Sequence, residues 1–264
     1  MNQLDLYFEK MWNDYGKLNP QARAVYQSLT HAGEKVVNDH IAFRTFSHPK
    51  ISIDILAQHF IKYGYVQKGN YVFSEKKLNA KHYEHPEGHY PKVFISELDL
   101  KLVSPLISTA VSKMCEYVLD TMVLDENFLI GGRPWMASFD LYQKIASESE
   151  YAAWVYAHGF RPNHFTVYIN HLKKLNQIQD LNQFLKEHGF KLNNFGGEIK
   201  GSPADYLEQS STMANQIETQ FEEGVFKVPA CYYEFAKRYT LPSGELFEGF
   251  VAKSADKIFE STNK

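Results

Sequence analysis

The chain has 264 residues, 44% apolar and 22% charged, with a formal net charge of -3. These values exclude wholesale disorder. No basic stripe is present to bind nucleic acid, and no apolar run approaches the roughly 18–20 residues that span a bilayer.

Two runs of helical apolar spacing open the chain. Leu4, Tyr7, Phe8, Met11 and Trp12 form the first, and Ala22, Val25, Tyr26 and Leu29 the second. Asn19-Pro20 separates them as a predicted N-cap followed by proline at the first helical position. The N-terminal stretch carries acidic residues and lacks the apolar core of a secretory signal. Cys115 and Cys231 lie in unlike contexts, so no disulfide framework is expected and a reducing cytoplasm is the predicted compartment.

Residues 36–46, rich in β-branched and aromatic side chains, predict a strand. A helix follows over about 53–63 and stops at Gly64; strands are predicted over 65–73 and 93–100, with a polar hairpin-like stretch between them. Residues 101–160 read as mostly helical, with runs over 102–119 and 142–156 and a turn at Gly131-Gly132-Arg133-Pro134. The earlier order then returns: a strand over 163–169, a helix over about 178–187 stopped by Gly189, and a strand over 230–239. The stretch 246–259 reads as a strand that ends in a short helix after Ser254.

This return indicates an internal repeat. Asn38-Asp39-His40 aligns with Asn163-His164, and the interval from histidine to glycine is 24 residues to Gly64 and 25 to Gly189. The predicted fold is α+β, with paired βαβββ modules. The expected divisions are N-terminal helices (1–35), a first module (36–100), a helical insertion (101–160) and a second module (161–264), together forming one catalytic unit.

A lone histidine in an apolar strand is usually a hydrogen-bonded core residue. His40 and His164 differ because they occupy one position in two copies of a unit, whose packing is expected to bring equivalent strands face to face. Two imidazoles and a carboxylate on one face leave coordination positions open, as in non-haem iron oxygenases. Glu234, between aromatics in Tyr233-Glu234-Phe235, requires a cation when buried. That cation is either a metal or the side chain of Lys237 or Arg238. Glu97, taken to stand near the equivalent position of the first copy, is a rival or fourth ligand, and Glu248 is a further contender. His82, His85 and His89 fit no common zinc spacing and read as a solvated lid or rim.

Alternation along the strand puts His40, Ala42 and Arg44 on one face, with the guanidinium predicted about 6–8 Å from a metal on His40. An arginine facing a cavity suits a carboxylate; otherwise it forms a salt bridge at a surface or between domains. A metal and an arginine at opposite ends of a pocket point to a dicarboxylic 2-oxo acid. Arg238 repeats the four-residue relation beyond Glu234 and is a candidate supporting group.

The segments 38–46, 159–166, 233–238 and 249–261 together resemble the 2-oxoadipate dioxygenase/decarboxylase (hydroxyglutarate synthase) family. The resemblance runs from about residue 36 to the end. It implies a vicinal-oxygen-chelate fold and an Fe(II) site with His40, His164 and Glu234 as ligands. Arg44 would bind a substrate carboxylate, and Ser254 with Lys253 would help close the pocket. Lys253 departs from the apolar residue expected in some members, and the chain is a compact version of a family with longer members. The implied reaction converts 2-oxoadipate and O2 to 2-hydroxyglutarate and CO2, a step of lysine breakdown. The competing expectations are a metal-dependent isomerase or lyase of the glyoxalase type, and a protein that sequesters a small ligand.

Overall fold

The computed structural model describes residues 2–251. In chain order its elements are α1 (Gln3–Leu18), α2 (Pro20–His31), β1 (Asn38–Phe46), α3 (Ile53–Ile61), β2 (Val66–Phe73), β3 (Leu78–Glu84), β4 (Lys92–Leu98), α4 (Pro105–Glu116) and α5 (Asp120–Val123). They continue with α6 (Phe139–Glu148), α7 (Glu150–His158), β5 (Pro162–Tyr168), α8 (Ile178–Glu187), β6 (Lys200–Ser202), β7 (Leu207–Ser211), β8 (Gln216–Phe221), β9 (Gly224–Pro229) and β10 (Glu234–Arg238).

Local chemistry accounts for several boundaries. The Asn19 side chain accepts from Ala22 N to start α2, with Pro20 at its first position. Gly64 and Gly189 follow α3 and α8 at φ +96 and +81, a conformation that a β-carbon disfavours, so both helices turn off there. The run expected over 142–156 is two helices. Ser149 is extended at φ -148, and its side chain caps α7 by accepting from Ala152 N.

Eight strands form one sheet in the order β2-β3-β4-β1-β5-β10-β7-β6. The halves mirror each other. β1 runs parallel to β4 and β5 parallel to β10, while the outer pairs of each half are antiparallel. The polar stretch expected between β2 and β4 contains β3, which pairs with both neighbours. In the second half, the β8–β9 hairpin is inserted between β7 and β10.

The halves meet through β1 and β5, which are antiparallel and hydrogen-bonded with His40 opposite Thr166 and Ala42 opposite His164. The equivalent strands are therefore neighbours side by side in one sheet. The face-to-face packing expected from the sequence is not what joins them.

The period-2 alternation sorts the side chains onto two faces. On the outer face, Phe43 meets Phe60 of α3, and Phe165 meets Trp12 and Tyr15 of α1. The inner face carries His40, Ala42, Arg44, His164, Thr166 and Glu234, covered in part by α7. No strand forms over 246–251; Leu246 makes one isolated bridge to Thr240, and the chain then runs across the inner face. Among the described residues, no helix is long and apolar enough to cross a membrane.

Candidate metal centre

Sheet register assembles the site. Glu234 on β10 stands opposite Thr166 on β5, and Thr166 stands opposite His40 on β1. The three side chains thus form one row across three adjacent strands. His164, two residues back along β5, adds a fourth member on the same face. Thr166 is small, so His40 and Glu234 reach toward each other over it.

One ligand atom from each of His40, His164 and Glu234 lies within 4.8 Å of the others, and all three residues are buried. His40 Nε2 is 3.4 Å from Glu234 Oε1, and His164 Nε2 is 3.3 Å from Glu234 Oε2. The imidazole tautomers follow from their other nitrogens. His40 Nδ1 lies 2.8 Å from Asp39 Oδ1, a carboxylate that can only accept, so Nδ1 carries the proton. His164 Nδ1 likewise faces Asn163 Oδ1 at 3.3 Å. The His40 Nε2 lone pair accepts from the Thr166 hydroxyl at 3.1 Å and lies beside Glu234, and the His164 Nε2 lone pair faces the second Glu234 oxygen, which also carries lone pairs. Such a cluster is satisfied by a cation between its members or by a proton on one of them. Two imidazole nitrogens and one carboxylate oxygen fit a divalent transition metal.

The electrostatics agree with that donor set. Burial raises the Glu234 carboxyl to about 8, against the hydrogen bond from Gln209 Nε2 (2.5 Å) to Oε1. Burial also lowers His40, and lowers His164 strongly with help from His40 and the Arg44 charge, so both rings stay neutral as ligands must. Burial alone would raise Asp39, but Arg238 binds it by Nε (2.6 Å) and Nη2 (2.8 Å) and holds it far below the usual carboxylate range.

Each expected residue has a definite place. Glu234 does not pair with its sequence neighbours: Arg238 is on Asp39, and Lys237 donates to Asn176 O. Glu97 is not in the site. The residue equivalent to Glu234 in the first half is Phe94, opposite Ala42 on β4, and three residues further Glu97 points outward and accepts from Ile53 N at the start of α3. Glu248 pairs with Lys92 and is about half exposed. The three loop histidines do not converge. His82 is buried on β3 between Tyr71 (2.8 Å) and Glu84 (2.9 Å), which corrects its reading as a solvated residue. His85 bonds Tyr63 O, and His89 is exposed beside Glu87.

Arg44 is 1% exposed; its Nη1 donates to Glu150 Oε1 of α7 at 3.0 Å, and its guanidinium lies over the Tyr151 and Trp154 rings. It therefore has a salt bridge across elements, the alternative weighed from the sequence, while remaining on the inner face. Tyr232 borders the centre, its ring 4.6 Å from that of His164. Lys253 and Ser254 lie outside the described residues.

Asp39, Thr166, Gln209 and Phe250 were missed as site residues. Asp39 was visible as the acidic neighbour of His40. Phe250 packs edge-on against His40 at 4.8 Å, held there as Arg238 Nη1 donates to the carbonyls of Phe247 (3.0 Å) and Gly249 (2.7 Å). No periodicity in the sequence signals that crossing.

Two related halves share a sheet, with a buried His–His–Glu cluster at their junction, and this architecture is a glyoxalase-like, vicinal-oxygen-chelate fold. A Ralstonia eutropha crystal structure, described provisionally as a glyoxalase-superfamily protein, has the same fold, with a TM-score of 0.73 at 18% identity over 91% of this chain and 83% of that one. The family model for 2-oxoadipate dioxygenase/decarboxylase matches residues 8–128 and 133–247. The Arabidopsis thaliana protein named 2-oxoadipate dioxygenase/decarboxylase, chloroplastic, is 37% identical over 94% of this chain and 74% of its own length. A Shewanella frigidimarina crystal structure, described provisionally as a hydrolase, superposes with a TM-score of 0.91 at 46% identity, covering 96% of this chain and 99% of that one. The rice hydroxyglutarate synthase, solved in complex with 2-oxoadipate, gives 0.90 at 32% identity, covering 97% and 91%. The chain belongs to the 2-oxoadipate dioxygenase/decarboxylase family.

Proposed function

We propose that this protein is an Fe(II)-dependent dioxygenase that converts 2-oxoadipate and O2 to 2-hydroxyglutarate and CO2, in the breakdown of lysine. The observation that carries the reading is the convergence of His40, His164 and Glu234, buried on three adjacent strands, in a chain 32% identical to a hydroxyglutarate synthase solved with 2-oxoadipate.

His40, His164 and Glu234 would hold the metal. Ferrous iron there supplies open coordination positions for the 2-oxo acid and the redox chemistry for O2. The remaining work falls to the protein. Asp39 and Asn163 fix the two imidazoles with Nε2 inward, and Gln209 orients the carboxylate. Arg44 is the group suited to the far carboxylate of a diacid, because its planar fork matches two oxygens. Phe250 and Tyr232 wall the reacting end against water, and Trp154 lies over Arg44 at the far end. Since the substrate carries its own 2-oxo acid, no separate oxo-acid cosubstrate is required.

Anaerobic loading with Fe(II), followed by O2-electrode measurements on 2-oxo diacids of differing length, tests this. O2 uptake with 2-oxoadipate and formation of 2-hydroxyglutarate are expected. Turnover without O2 uptake would assign the site to glyoxalase-type isomerase or lyase chemistry.

A further inference from the structure

Glu150 is the first residue of α7 and sits at the joint with α6, where Ser149 interrupts the helix. Its carboxylate faces two ways. Inward, Oε1 accepts from Arg44 Nη1 at 3.0 Å. Outward, its side chain is 27% exposed and lines a surface cavity of about 440 Å³ together with Trp154, Gln216 and Lys227. It also borders a second cavity of about 360 Å³ on the other side of the α6–α7 joint. Arg44 itself is 1% exposed, with Tyr151 and Trp154 at 5.0 and 5.5 Å from its guanidinium carbon. The Glu150 carboxylate therefore stands between the buried guanidinium and both cavities.

We propose that Glu150 is a gate and specificity residue. Its carboxylate occupies the guanidinium in the ligand-free protein and is displaced into the larger cavity by the far carboxylate of an entering 2-oxo diacid. The inference rests on the reading of Arg44 given above. The exchange replaces one carboxylate on Arg44 by another, so an incoming diacid restores the charged hydrogen bond that it breaks. A 2-oxo monoacid has nothing to offer in return and leaves the gate closed. The released Glu150 side chain enters a cavity that already holds a cation, Lys227, and the amide of Gln216. Selectivity for diacids then comes from a competition inside the protein as well as from attraction to Arg44.

The test uses the protein loaded with Zn(II), a redox-silent ion that cannot support O2 chemistry, titrated with 2-oxoadipate and with 2-oxohexanoate. Glu150→Gln should bind 2-oxoadipate roughly ten-fold tighter, the worth of one charged hydrogen bond, with 2-oxohexanoate unchanged. Unchanged or weaker diacid binding, or an equal gain for both acids, overturns the proposal. A second measurement leaves Glu150 intact. Saturating 2-oxoadipate should alter the fluorescence of Trp154, assigned by its loss in Trp154→Phe, and 2-oxohexanoate should not. A Trp154 signal blind to 2-oxoadipate refutes gate movement even if Glu150→Gln fails to fold. Absence of O2-dependent turnover in the Fe(II) protein would count against the proposed reaction while leaving these binding outcomes readable.

Discussion

Arg238 grips Asp39 with two hydrogen bonds, 2.6 and 2.8 Å long, at a point where neither side chain is exposed to solvent. The same aspartate accepts a hydrogen bond from His40 Nδ1, and the same arginine donates to the carbonyls of Phe247 and Gly249. One buried ion pair thus sets both the tautomer of a candidate ligand and the path of the segment that covers it.

Removing one partner leaves the other charge buried. Arg238→Met should lower unfolding stability by about 3–5 kcal/mol, read from the midpoint of denaturant unfolding. Asp39→Asn should weaken metal affinity by about 10–100-fold in a competition titration, because His40 loses the charged acceptor that orients its ring and raises its basicity. The Asp39 carboxyl is depressed in the fold, so its contribution is present above its unfolded value near 3.8 and fades as pH falls below it. Wild-type affinity in Asp39→Asn would refute the orienting role.

Glu234 has the opposite sign. Burial raises its carboxyl from 4.5 to about 8. In the metal-free protein this group therefore favours the fold fully below pH 4.5 and loses that contribution as pH rises toward 8. Metal binding needs the ionised form, while both imidazoles are already neutral. Calorimetry in buffers of different ionisation enthalpy should show close to one proton released per metal at pH 7. Affinity should rise about tenfold per pH unit between 6.5 and 7.5 and flatten above 8. A flat profile from pH 6.5 to 8 would mean that Glu234 is already ionised before the metal binds.

Arg44→Ala should cut kcat/KM for 2-oxoadipate by about 100-fold or more while sparing 2-oxo monoacids, since a bidentate charged contact is lost. Steady-state O2 uptake with paired substrates measures this. Equal losses for both acids would mean that Arg44 supports only the packing of α7.

Glu97→Gln should leave metal affinity unchanged and lower stability by about 1 kcal/mol through a weakened bond to the start of α3. Metal titration and thermal unfolding on one preparation separate the outcomes; lost metal binding would restore Glu97 as a ligand.

Much of this was legible in the chain because it depends on local chemistry. Asn19-Pro20 starts a helix, and Gly64 and Gly189 end two others, whatever surrounds them. The recurrence of histidine and glycine at nearly equal spacing exposed the paired modules and singled out His40 and His164. Glu234 was legible as a carboxylate that an apolar strand could not bury without a cation.

The remainder was decided by register and by crossings between distant segments. A shift of one residue turns a strand side chain to the opposite face, and this separates Glu97 from the site while Phe94 takes the place equivalent to Glu234. The pairing of His40 with Asp39 was adjacent in sequence, but the Arg238 that charges it, the Glu150 on Arg44 and the Phe250 on His40 come from elements whose approach no local pattern encodes. Sequence determined which side chains could serve as ligands, because donor chemistry belongs to the residue. Tertiary structure decided which of them meet, because that depends on how β1, β5 and β10 align within one sheet.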